Sequence, residues 1–248
     1  MRRYPSSPYT SSFAFGPGGI STAVKALIIA NVAVFVVQVF APIVTALLGL
    51  QPFVVLHSIY LWQLATYMFL HGGVSHILFN MLALWMFGTE LERRWGTRAF
   101  VRFYAVSGVG AGVLTVLFSL LPFDFAQQLQ TATVIGASGA IYGVLLAYGL
   151  SFPDRPIYIY FVFPIPAKIF VAIMGAIAFL SSLGPSGGVA SATHLGGLAV
   201  AYVYLKSGRM HPIAEIKYRY LKWKINRVRK KFDVYSGGRA DDYDRRVH

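Results

Sequence analysis

Ile135-Gly136-Ala137-Ser138-Gly139-Ala140-Ile141-Tyr142-Gly143-Val144-Leu145-Leu146-Ala147-Tyr148-Gly149-Leu150-Ser151-Phe152 is a run of 18 residues without a charge. It does not alternate polar with apolar, so it is not a half-buried strand. A helix that crosses a bilayer needs about 20 mostly apolar residues, and this run fits one. Five comparable runs flank it: Ala23–Phe40, Ser75–Leu91 and Ala99–Leu121 before, Ala167–Leu183 and Ala192–Lys206 after. Several are short for a full span, so tilting or local bilayer thinning is expected. The whole chain of 248 residues is 56% hydrophobic and only 12% charged. That is about half the charge of a soluble domain, and the apolar surplus must face lipid. Only helices and closed barrels satisfy their backbone in lipid, and runs without alternation argue against a barrel. The expected fold class is therefore all-α: a polytopic membrane protein with a bundle of six transmembrane helices. The expected organisation is an N-terminal segment over 1–22, a membrane core over 23–206 and a basic tail over 207–248.

The net charge of +13 suggests nucleic acid until the charges are placed. Arg2, Arg3 and Lys25 precede or open the first run, and Arg93, Arg94, Arg98 and Arg102 lie between the second and third. Arg155 and Lys168 lie between the fourth and fifth, and the other 13 basic residues follow from Lys206 onward. The remaining connections, Ala41–Val74, Pro122–Val134 and Gly184–Ser191, hold no Lys or Arg. All 22 basic residues thus fall on one face. The positive-inside rule makes that face cytoplasmic, with both termini on it, in a multi-pass protein of the cell membrane. The aromatic and basic stretch Tyr218–Lys231 fits anionic lipid headgroups better than nucleic acid, and no nucleic-acid partner is expected. Residues 1–22 show no apolar core with a small-residue cleavage site, so no cleaved signal peptide is expected. The chain has no cysteine, which excludes disulfides, thiolate catalysis and zinc–thiolate sites; no metal or other cofactor is expected. The connection Ala41–Val74 is too apolar for an aqueous loop and is expected to pack on the helices at the membrane interface.

Ionisable groups inside spans are costly and each is by default a functional hypothesis. The set is small: His76, Glu90, Glu92 and His194, with uncharged Asn80 and Ser138. Ser138 stands between Gly136 and Gly139, where a small-residue helix contact through Gly139 and Gly143 is one reading. A nucleophile near a helix N-terminus, whose free N–H groups stabilise an oxyanion, is the other. His194, alone, reads as interhelical hydrogen-bond glue. Gly197 and Ala201 on the same helix, however, permit close approach to the fourth span, which would bring the imidazole to the serine as a Ser–His pair requires. His76 and Asn80 are spaced i, i+4 and share a helix face, either as a polar bundle contact or as paired oxyanion donors. Glu90 and Glu92 stand beside Arg93 and Arg94 and read as interfacial ion pairs. With no carboxylate expected near Ser138, any charge system there is a dyad.

Trp62, His71, His76-x-x-x-Asn80, Gly88 with Glu92, Gly136-x-Ser138-Gly139 with Tyr142, and His194 with Gly197 together resemble the rhomboid family, in its order and on its spans. The likeness covers Val24 to Lys206. It implies a six-helix intramembrane serine protease with an outward-open, water-filled cavity, acting on transmembrane segments of other proteins. Ser138 would be the nucleophile and His194 the base. His76 and Asn80 would assist the Ser138 N–H at the oxyanion. Tyr142 would stack on the histidine in place of an aspartate, with Gly136, Gly139 and Gly197 supporting the site. Gln63 departs from the arginine that often follows the family's loop tryptophan, a difference that bears on loop anchoring. Two other classes fit the sequence less well: an inactive rhomboid-like binding protein, which would lack the serine or the histidine, and a channel, for which the intramembrane polar set is too small.

Overall fold

The computed structural model describes residues 17–122, 124–159, 162–182, 188–209, 224 and 227. Arg2, Arg3, nearly all of the basic tail and residues 184–187 of the last connection lie outside them. Residues up to Leu205 form one compact unit and those from Lys206 a second.

Each expected span contains a helix: α1 Thr22–Phe40, α2 Val74–Trp95, α3 Thr97–Phe118, α4 Ser138–Ser151, α5 Ala167–Ser182 and α6 Gly188–Arg209. Four are long and apolar enough to cross a membrane, while α4 and α5 are apolar but have 14 and 16 residues. That pattern is compatible with six spans, the two short ones needing tilt or a thinned bilayer. α2 contains a π turn at Leu84–Gly88. It ends at Gly96, whose φ of +83° turns the chain straight into α3 in a conformation that favours glycine.

Burial identifies the inner helix. α4 buries 10 of its 14 residues, whereas α1 buries only Ala23, Val24 and Asn31. The small residues of α4 explain its position. A methyl at Gly143 would lie 2.8 Å from the Ser107 side chain of α3 and 3.2 Å from Ala201 of α6. The outward faces carry Ile29, Phe40, Phe79, Ile177, Leu180 and Val203, all exposed, as a surface against lipid requires.

The Ala41–Val74 connection is ordered and packed. It forms short helices at Ile43–Leu48, Pro52–Ser58 and Gln63–Thr66 and a 3₁₀ turn at Tyr67–Phe69. Gln63 is fully buried; its amide accepts from the Gln51 N–H and donates to the Leu47 carbonyl, at 3.1 and 3.3 Å. Trp62 Nε1 also donates to the Leu47 carbonyl, at 3.0 Å, and Leu50 pairs with Val134 across the mouth of α4. Here an uncharged amide anchors the loop from within.

Two features differ from the sequence expectations. A short antiparallel hairpin, β1 Pro156–Ile159 with β2 Phe163–Pro166, joins α4 to α5. The prolines that frame it mask the alternation by which a strand is recognised. The ion pairs expected between Glu90, Glu92, Arg93 and Arg94 also do not form. Glu92 is buried and accepts from Ser21 Oγ, Thr97 Oγ1 and the Ala23 and Val24 N–H groups at 2.5–3.0 Å. It therefore satisfies the free N–H groups at the start of α1, where a negative charge is favoured. Glu90 pairs instead with Arg155, and Arg93 donates to the carbonyls of Pro17 and Gly19.

Candidate active site

The site forms where the chain enters α4. Ile135–Ala137, expected inside the span, precede the helix, which begins at Ser138. Gly136 has φ of +127° and donates its N–H to the Tyr67 carbonyl at 2.9 Å, tying the entry to the packed loop. Only glycine suits that backbone, and a Cβ there would stand 2.8 Å from His76 Nε2. Ser138 is thus the first residue of a helix whose leading N–H groups have no intrahelical partner.

His194 comes from α6. Its Nε2 is 2.8 Å from Ser138 Oγ, and the Tyr142 ring stacks on the imidazole at 4.3 Å between centroids and 9° between planes. Tyr142 lies one turn after Ser138 on α4, so one helix carries both partners of the histidine. α6 reaches α4 because both lack side chains at the crossing: a methyl on Gly197 would fall 1.9 Å from the Gly139 carbonyl oxygen. α6 is also tied to α3, by a buried Thr115–Thr193 hydroxyl pair at 2.9 Å beside His194. No carboxylate bonds the His194 ring among the described residues.

His76, near the start of α2, faces the same point. The Gly72 N–H donates to its Nδ1 at 3.2 Å, so in the neutral imidazole the proton sits on Nε2, the atom beside Gly136. His71 packs edge-on against it at 5.0 Å. The His71 backbone is clamped by α1, where Gln38 donates to its carbonyl and accepts from its N–H, both at 3.0 Å. Burial, with His76 adjacent, pushes His71 down to about 4, so it is neutral near pH 7. Asn80 is buried one turn further along α2, and its amide donates to the His76 carbonyl at 3.0 Å.

Among the sequence-selected residues, Ser138, His194, Tyr142, Gly136, Gly139, Gly197 and His76 therefore converge. Asn80 lies close by but spends an amide N–H on its own helix. Thr115, Thr193 and Gln38, which also brace the site, are not among the sequence-selected residues: they are uncharged, and their only mark in the sequence is a polar side chain within or beside an apolar run.

Lipid-facing helices around a half-buried Ser–His pair define a polytopic membrane protein with the makings of a serine nucleophile. The family model for the Rhomboid domain matches residues 58–209, and the chain belongs to the rhomboid family. Similar curated proteins include "Rhomboid protein 1, mitochondrial" of Saccharomyces cerevisiae, 35% identical over 55% of this chain and 38% of that protein. "RHOMBOID-like protein 4" of Arabidopsis thaliana is 34% identical over 57% of this chain and 32% of its own length. "Rhomboid protease GluP" of Bacillus subtilis is 39% identical over 34% and 14%. The matches thus span well under half the length of these relatives.

Proposed function

We propose that the protein is an intramembrane serine endopeptidase that cleaves transmembrane segments of other membrane proteins with a Ser138–His194 dyad. The observation that carries this reading is the 2.8 Å approach of His194 Nε2 to Ser138 Oγ beneath the stacked Tyr142 ring. His194 Nε2 takes the hydroxyl proton as Oγ attacks the scissile carbonyl. The oxyanion forms among donors: the N–H of Ser138 at the helix start and His76 Nε2–H, with Asn80 close behind. The imidazolium then gives its proton to the leaving amine. Water, deprotonated by His194, releases the acyl group and restores the serine. Tyr142 holds the imidazole plane, in the place an aspartate occupies in a triad. Gly136, Gly139 and Gly197 support the site by admitting the backbones that build it.

The substrate must locally unwind, because a helical carbonyl is hydrogen-bonded and shielded from Oγ. The placement of Lys and Arg favours cytoplasmic termini in a cell membrane, with 1–22 and 207–248 flanking a protease core of 23–206. The basic tail would lie on anionic headgroups rather than nucleic acid. The test is incubation of the full chain in proteoliposomes with a labelled model transmembrane substrate, beside Ser138→Ala. Cleavage by the wild type alone is expected. Equal cleavage by both removes the assignment to Ser138, and none by either removes the protease reading.

A further inference from the structure

At the far end of α4 from Ser138, a second polar site opens. α4 runs 14 residues from Ser138 to Ser151 and Phe152 follows it, placing this end roughly 20 Å from the serine along the helix axis. An open cavity of about 520 Å³ lies between the segment before α1, the last turn of α2 and the end of α4, lined by Glu90, Arg93, Arg94, Phe152 and Arg155 among others. Three guanidiniums face one carboxylate there, a surplus of two positive charges.

Two of the three are held in place by the fold. Arg93 donates to the carbonyls of Pro17 and Gly19, and Arg155 pairs with Glu90, which also accepts from Tyr148 Oη. The third is held without its donors being used. The Arg94 guanidinium carbon stands 5.2 Å from the centroid of the Phe152 ring and that of Arg155 5.6 Å. Arg94 makes no hydrogen bond or ion pair among the described residues. Glu90 already answers the charge of Arg155, so Arg94 is left on the ring with its full set of donors free and no anion of its own. A guanidinium fork matches phosphate oxygens in pairs. The cavity lies at the ends of α2 and α4, among basic residues that the expected topology puts at the cytoplasmic headgroups, and basic pockets between spans suit phospholipid headgroups.

We propose that this cleft binds a phosphate-bearing anion, supplied by the headgroup of an anionic phospholipid. Arg94 is its principal donor, and Arg93 and Arg155 supply the positive field. The site is separate from Ser138.

The test is native mass spectrometry of the full chain in detergent, titrated in separate arms with phosphatidylglycerol, phosphatidylcholine and inorganic phosphate. Phosphatidylglycerol is expected to bind at least about fivefold tighter than phosphatidylcholine, and Arg94→Gln to lose about fivefold, the weight of one basic side chain at an anionic surface. Because the basic tail is itself proposed to lie on anionic headgroups, the cleft is read from the part of that preference which Arg94→Gln removes. Arg94-dependent binding of inorganic phosphate without a lipid preference would uphold the anion site and assign it to soluble phosphate. A readout that needs no variant is thermal stability of the wild type, which should rise with phosphatidylglycerol relative to phosphatidylcholine or with added phosphate. Equal binding of all three, no dependence on Arg94 in a folded variant, or an unchanged melting temperature in every arm would overturn the proposal.

Discussion

The His76 imidazole lies so near the Gly136 backbone that any side chain there would collide with it. This closeness separates two residues that sequence spacing treated as a pair. His76 presents Nε2 toward the start of α4, while Asn80 gives an amide N–H to the His76 carbonyl. His76→Ala should therefore lower kcat by roughly 10- to 100-fold with little change in KM. That is less than the 10²–10³ seen for a sole side-chain donor, because a backbone N–H remains. Asn80→Ala should cost less than His76→Ala. Steady-state kinetics on a labelled substrate check both, and a change in KM alone would make them substrate contacts. Ser138, His194 and His76 were legible in the sequence because ionisable or nucleophilic groups rarely enter a span without a use. Thr115 and Thr193 were not, since a threonine in a span more often bonds its own helix; Thr115 does bond Ala111, and its contact with Thr193 appears only once α3 and α6 are packed.

At the scale of helices, the crossing of α4 and α6 sets the distance between serine and histidine. Gly197→Leu would drive a side chain into the Gly139 carbonyl, which a Cβ alone would already meet at 1.9 Å. The helices must part, so cleavage should fall to background with Ser138 and His194 unchanged. Full activity in that variant would mean the crossing does not set the dyad. The α1–α2 junction makes a different prediction. Glu92→Ala removes the acceptor for Ser21, Ala23, Val24 and Thr97, leaving N–H groups of α1 uncapped. A loss on the order of 2 kcal/mol or more is expected, read as a lower melting temperature in detergent. Helix positions were readable from apolar runs, but their ends were not. The fourth apolar run begins at Ile135, yet α4 starts at Ser138, because a positive φ at Gly136 and its bond to Tyr67 hold the entry out of the helix. Those constraints come from a loop about 70 residues earlier, which local periodicity cannot register.

For the whole molecule, the decisive pattern is that every basic residue falls on one face of the expected topology. A reporter fused after His248 should be active only inside the cell, and a glycosylated C-terminus would contradict that orientation. On this topology the dyad lies toward the opposite face, at the other end of α4 from Phe152. The proposed chemistry requires a neutral imidazole, so cleavage should decline as acid protonates His194, and the two residues should act as one unit. The most direct measurement is covalent labelling of the full chain in proteoliposomes with a fluorophosphonate probe, mapped by tandem mass spectrometry, beside cleavage rates for Ser138→Ala, His194→Ala and the double variant. The expected result is one adduct, on Ser138, abolished in His194→Ala, with the double variant no slower than either single one. An adduct on another serine, or cleavage retained by His194→Ala, would contradict a Ser138–His194 dyad.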